Sequence, residues 1–133
     1  MATPYLLNVV APAGEVFSGE VEFTVVPGVE GELGILARHA PLIAGLGVGI
    51  LRYTREGRVE KISIGGGFVE MADNKATVLA KTAETASMID RQRAEAAKER
   101  AEQRLHQKGD SIDLQRAEAA LKRAIARLQT LNK

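Results

Sequence analysis

The stretch SIDLQRAEAALKRAIARLQTL, Ser111 to Leu131, decides one half of the fold. Leu114, Ala117, Leu121, Ala124, Leu128 and Leu131 follow one another at alternating spacings of three and four, which lays a single apolar stripe along a helix. Upstream, Ala94, Ala97, Ala101 and Leu105 repeat that spacing, and the turn Lys108-Gly109-Asp110 lies between the two runs. The pattern predicts two amphipathic helices, over about 87–107 and 111–131, folded into an antiparallel hairpin. Alanine lets helices approach closely but buries little area, and at roughly 25 cal/mol per Å² such a seam is weak. A weak hairpin can open.

Residues 5 to 80 carry a different rhythm. Short β-branched runs recur, Leu6–Val10, Val16–Phe17, Val21–Val26, Leu33–Leu36, Gly47–Tyr53, Val59–Ile64, Phe68–Met71 and Ala76–Ala80, separated by Gly, Pro, Asn and Asp. Turn signals at this density belong to a sandwich or barrel. Arg55-Glu56-Gly57 and Ala72-Asp73-Asn74 read as hairpin loops, and Pro12-Ala13-Gly14 as a turn. With no helical pattern among the strands to cross over, antiparallel pairing is expected throughout. Gly65-Gly66-Gly67 is followed by Phe68-Val69 rather than by Lys and Ser/Thr, so it reads as a bulge or corner between two strands and not as a phosphate loop. Between the two halves, Lys81-Thr82-Ala83-Glu84-Thr85-Ala86 shows neither strand alternation nor a helical stripe and reads as a hinge. The chain thus divides into a β domain, 1–83, and a hinge with an αα-hairpin, 84–133.

Composition narrows the function classes. Hydrophobic residues make up 45% but aromatics only 4%, with no Trp, so the core is aliphatic and offers no stacking platform for nucleic-acid bases. No apolar run is long enough to span a bilayer, no signal or transit peptide is expected before the first strand, and without cysteine there is no thiol or disulfide chemistry. The net charge of +1 hides a division: residues 1–86 hold seven Lys/Arg against ten Asp/Glu, and residues 87–133 hold eleven against seven. Basic helices on an acidic mount point to an anionic ligand or an acidic protein surface as the partner of the helices. Nucleic acid does not fit, because Glu95, Glu99, Glu102 and Glu118 interrupt the basic residues. No group of residues arranges a nucleophile, a base and an orienting partner, and His39 and His106 have no metal-ligand spacing, so neither an enzyme nor a metal site is expected.

The densest signal is Gly31-Glu32-Leu33-Gly34-Ile35-Leu36-Ala37-Arg38-His39-Ala40-Pro41-Leu42. It resembles the signature of the epsilon subunits of F-type ATP synthases, and the likeness extends to Phe17-Ser18-Gly19, to the turn Ser63 to Phe68, to Ala76-Thr77-Val78-Leu79-Ala80 and to the terminal hairpin. One departure is Ala37-Arg38 where the family usually has Pro-Gly, so an altered turn and an added charge beside His39 are expected. The resemblance implies a ten-stranded antiparallel β-sandwich followed by a two-helix hairpin. It further implies a non-catalytic subunit on the cytoplasmic face of the bacterial cell membrane, peripheral and without insertion. The sandwich would bind the gamma subunit and sit on the c-ring, with Glu32 and His39 at that contact. On the residues alone, Glu32 reads equally as a solvated charge and His39 as a hydrogen-bonded turn residue.

Ser87 to Ala94 admits two readings. Ser87 can cap the first helix with Asp90 completing a capping box. Alternatively, Ile89-Asp90-x-x-Arg93-Ala94 is similar to the ATP-binding motif of certain bacterial epsilon subunits. In those members ATP lies between the folded helices, so the resemblance implies that Glu84, Ile89, Asp90 and Ala94 hold the adenosine end and that Arg93, Arg100, Arg123 and Arg127 meet the phosphates. Arg93 and Arg100 are seven apart on one helix, Arg123 and Arg127 four apart on the other, so the four guanidiniums converge only in a closed hairpin. ATP would be a regulatory ligand clasping that hairpin. Without it, the family's helices extend toward the alpha and beta subunits and oppose ATP hydrolysis; Arg116, Lys122, Arg123 and Arg127 suit an acidic segment of beta. The other reading is a purely structural stalk subunit whose hairpin stays closed.

Overall fold

The computed structural model describes residues 3–107 and 111–132, and the turn Lys108-Gly109-Asp110 lies outside the described residues. The strands are β1 (Tyr5–Ala11), β2 (Gly14–Val21), β3 (Phe23–Gly28), β4 (Gly31–Leu36), β5 (Leu42–Arg55), β6 (Arg58–Ala72), β7 (Lys75–Ala80) and β8 (Ala83–Thr85). A 3-10 turn, Ala86–Met88, then leads to helices α1 (Arg91–His106) and α2 (Ser111–Leu131). The strands hydrogen-bond in the order β2-β1-β7-β6-β5-β3-β4, with β8 joined to β6. β2 packs across the core onto β5 and β8 without pairing to them, so the sheet folds over on itself as a sandwich.

Period-two alternation builds the core. Tyr5, Leu7 and Val9 of β1 point inward and join Val21, Val26, Ile35, Leu51, Ile62, Ile64, Val69, Met71 and Val78 in one aliphatic cluster. Tyr5 is the polar member. Its hydroxyl donates to the Ile35 carbonyl at 2.8 Å and lies 2.6 Å from Thr24 Oγ1. Burial raises the Tyr5 pKa, and the Thr24 hydroxyl partly offsets that rise. The two tight hairpins form as expected. Glu56 (φ 52°) with Gly57 (φ 77°) joins β5 to β6, and Asp73 (φ 52°) with Asn74 (φ 58°) joins β6 to β7. Two positive-φ residues in succession match the right-handed twist of the flanking strands.

The structure corrects four expectations. The described residues contain eight strands rather than ten, in part because Val59–Ile64 and Phe68–Met71 are one strand, β6, running through Gly65-Gly66-Gly67. Gly66 and Gly67 have φ of 93° and 134°, and a Cβ on Gly67 would collide with the Leu79 carbonyl. The glycines let β6 leave β7 and take up β8 without breaking. Second, the hinge stretch contains β8, which pairs Ala83, Glu84 and Thr85 with Ile64, Ser63 and Ile62. Third, β1 and β7 pair in parallel. They are far apart in sequence, and the intervening strands make the crossover that a helix would otherwise supply. Fourth, the first helix starts at Arg91 rather than near 87, and its N-cap is Asp90, not Ser87.

The hairpin seam lies where the stripes placed it. Ala94 and Ala101 of α1 and Ala117 and Ala124 of α2 are buried, with Ala97, Leu105, Leu114, Leu121, Leu128 and Leu131 half-buried around them. A second buried set, Ala126 and Thr130, belongs to the part of α2 that rests on β5 and β6. On β6, Ile62 and Ile64 face the sandwich core, while Lys61 and the buried Ser63 alternate to the opposite face, where α2 docks.

Candidate functional site

Where β8, the 3-10 turn and the two helices meet there is a cleft of about 260 Å³. Its lining includes Glu84, Ile89, Asp90, Arg93, Ala94, Arg100 and Arg127, all singled out from the sequence. Arg123 is not among them; with Arg100, Arg104 and Arg127 it lines an adjoining cleft of about 210 Å³ between the helices. Both clefts are bounded by Ala97, Arg100 and Arg127, so the eight residues border one continuous surface.

Each element supplies its part for a local reason. β8 fixes Glu84 opposite Ser63, and the 3-10 turn closes with the Ile89 N–H donating to the Ala86 carbonyl at 3.2 Å. Asp90, its backbone still extended, caps α1: its Oδ1 accepts from the Arg93 backbone N–H at 3.1 Å. Asp90 is therefore the N-cap of α1 itself and not the third residue of a capping box opened by Ser87, and its carboxylate retains further acceptor capacity beside the cleft. Arg93 and Arg100 emerge from the same side of α1, with small Ala94 and Ala97 between them forming the wall.

The strongest contact in the cleft joins the two domains. Arg127 Nε donates to Glu84 Oε1 at 2.6 Å, and both side chains are about 30% exposed. One of the arginines is thus already paired, which lowers the repulsion that closing the hairpin entails. Among the described residues no carboxylate is seen paired with Arg93, Arg100 or Arg123, so the cleft keeps an unbalanced positive charge. The cleft is thus mixed in character, with Met88 and Ile89 apolar, Glu84 and Asp90 acidic, and Arg93, Arg100 and Arg127 basic in its lining. Sequence reasoning missed Met88, which is 54% exposed, and Arg104. Arg104 was legible: it stands four residues after Arg100 on the same helix face.

Glu32 and His39 lie elsewhere, on β4 and in the loop after it. Glu32 Oε2 pairs with Arg52 Nη1 at 2.9 Å on the surface. It borders a shallow cleft with Val29 and Ile43, whose exposures of 69% and 73% give the acid an apolar surround that was not anticipated. His39 is half-buried; its Nδ1 is 2.8 Å from the Ala40 carbonyl and its backbone N–H donates to Leu36. Arg38, in the turn that follows β4, takes a positive φ of 62° and donates its N–H to Asn74 Oδ1 at 2.7 Å. No described helix is long and apolar enough to cross a membrane.

Two family models cover the chain: the β-sandwich domain of the ATP synthase delta/epsilon chain over residues 5–86, and its long α-helix domain over residues 87–132. An ATP synthase epsilon chain of Syntrophomonas wolfei is 50% identical over 130 residues, spanning 97% of this chain and 95% of that one. Another, from Desulfitobacterium hafniense, is 56% identical over 108 residues, 81% of this chain and 82% of its own. In fold, the chain is similar to one in the cryo-EM structure of the Euglena gracilis mitochondrial ATP synthase OSCP/F1/c-ring, with a TM-score of 0.80, 23% identity, and 97% and 81% of the two chains covered. A chain of the Tetrahymena thermophila mitochondrial ATP synthase central stalk and c-ring matches with a TM-score of 0.65 at 15% identity, over 98% of each chain. Over both its domains, the chain belongs to the delta/epsilon chains of ATP synthase, as a non-catalytic subunit of the epsilon type.

Proposed function

We propose that this epsilon subunit, a component of the central stalk of a proton-translocating ATP synthase, also restrains ATP hydrolysis through its helical hairpin, and that ATP bound in the cleft favours the closed hairpin. One observation carries the reading. The cleft draws Glu84 from the sandwich, Asp90, Arg93 and Arg100 from the start of α1, and Arg127 from α2, and such a surface exists only while the helices are docked. A ligand that bridges them gains its affinity from the closed state alone, which is the differential affinity needed to shift a population. Free ATP at about 100 times its dissociation constant would favour closure by about 2.7 kcal/mol.

In the open state α1 and α2, of 16 and 21 residues, would extend about 24 and 32 Å. That length and the exposed Arg116, Lys122 and Arg123 suit engagement of an acidic surface on the alpha and beta subunits. The Glu32 end of the sandwich, with Val29 and Ile43, suits the c-ring, and the sandwich the gamma subunit, on the cytoplasmic face of the membrane. A second reading, a hairpin that stays closed, is favoured by the Glu84–Arg127 pair, which ties the domains through the chain's own side chains.

Calorimetric titration of the purified chain with ATP tests the site. Binding is expected in the parent and at least a tenfold loss in Arg93→Ala; no binding, or equal affinity in the variant, refutes it. Deleting residues 87–133 from the assembled enzyme should raise its ATP hydrolysis, and unchanged hydrolysis leaves the closed structural subunit as the better account.

A further inference from the structure

Away from the ligand cleft, a second polar tie holds α2 to the sandwich. Lys61 Nζ of β6 donates to the Asn132 carbonyl at 2.9 Å and to the Gln129 carbonyl at 3.4 Å. Gln129 lies in the last turn of α2, where its carbonyl also accepts the Asn132 N–H at 3.2 Å, and Asn132 is the residue after the helix, at the negative end of the helix dipole. The sandwich therefore supplies the C-cap of the helix. Within α2, Thr130 is buried and donates to the Ala126 carbonyl at 2.8 Å, so the last turn is fixed both to itself and to the sheet. Lys61 stands in a cleft of about 650 Å³ formed by Tyr53, Glu60, Thr85 and the end of α2, open enough for water and ions to reach it.

We infer that Lys61 is a docking latch for the hairpin, a cation on the sandwich that grips the carbonyl end of α2 and sets the ratio of docked to undocked helices independently of the nucleotide. The tie exists only in the docked state, because its acceptors leave with the helix while Lys61 stays on β6. Its neighbours also make it separable from the nucleotide cleft, whose lining does not include Lys61. The inference extends the reading above in that it assumes a hairpin able to undock, but it does not depend on ATP binding.

The chain has no cysteine, so two labels can be placed at will. Spin labels at Glu20→Cys on the sandwich and Gln115→Cys on α2, both exposed, report the distance distribution in the full chain without nucleotide. Charge-assisted hydrogen bonds to two helix-terminal carbonyls correspond to a change of about tenfold in a two-state ratio. Lys61→Met, which keeps the aliphatic stem, should lower the docked-to-undocked ratio by about that factor, and Lys61→Arg should restore part of it. In the same preparations Arg93→Ala should remove ATP binding without lowering the nucleotide-free docked-to-undocked ratio, because it takes away a charge that opposes closure. A Lys61→Met distribution within twofold of the parent overturns the latch, whether or not ATP binds; failure of the parent chain to bind ATP, with the Lys61→Met shift present, counts against the nucleotide reading only.

Discussion

The Glu84–Arg127 pair can be weighed from its geometry. With Nε and Oε1 2.6 Å apart, the charge centres sit about 4 Å from one another, and at an effective dielectric of about 20 the attraction is about 4 kcal/mol. Side-chain exposures of 31% and 28% mean that desolvation of two partly buried ions cancels more than half of it, leaving a net of about 1–2 kcal/mol. A double-mutant cycle with Glu84→Gln and Arg127→Gln isolates that term, because each change removes one charge and keeps most of the shape. The docked-to-undocked ratio, read from the spin-label distances in the absence of nucleotide, is the assay. Each single variant should lower the ratio by about five- to thirtyfold, and the double variant should be little worse than either. A coupling under about 0.3 kcal/mol would refute the argument that this pair joins the domains.

Two further predictions concern the sandwich. Arg38→Gly relieves a positive-φ side chain and should raise stability by about 0.5–1 kcal/mol in urea unfolding, because the left-handed conformation costs L-residues about that much more than glycine after the glycine's greater unfolded-state entropy is deducted. Tyr5 is held neutral by burial, so the folded pKa lies above the unfolded one; the associated stability is fully present below about pH 10 and is lost as pH rises through the folded value. Tyr5→Phe should therefore cost about 1–2 kcal/mol at neutral pH, by stranding Thr24 and the Ile35 carbonyl, and should flatten the alkaline decline seen in pH-dependent unfolding.

What the sequence made legible was periodic. The seam alanines at 94, 101, 117 and 124 could be placed on one face because a helix with one partner writes one stripe. Ala126 and Thr130 were not, since α2 has two partners and the second face overlaps the polar residues of the first pattern. Asp90 as N-cap was hidden by Ser87, an equally good cap three residues earlier that lies inside the 3-10 turn instead. Three glycines in a row read as a bulge or corner between two strands and not as the interior of one, because their propensity is poor and the need for them comes from neighbours, the Leu79 carbonyl and the Thr82 hydroxyl, that lie elsewhere in the chain. The candidate site was nameable only through the resemblance. The pairing of Glu84 with Arg127 spans 43 residues, and the Lys61 tie ends on main-chain carbonyls, which leave no trace in residue type.

Because β6 passes through its glycines unbroken, it also acts as a strut. Its 15 residues measure about 50 Å if fully extended, with Lys61 and the partner of Glu84 near one end and Phe68 and Glu70, opposite Gly45 and Ile43, toward the other. A load applied where Ile43 and Val29 are exposed would be carried along a single hydrogen-bonded strand to the seat of the hairpin, with the positive-φ pair Gly66 and Gly67 as the joint within it. Stiffening that joint is a mechanical perturbation, distinct from any change in the ligand or the latch.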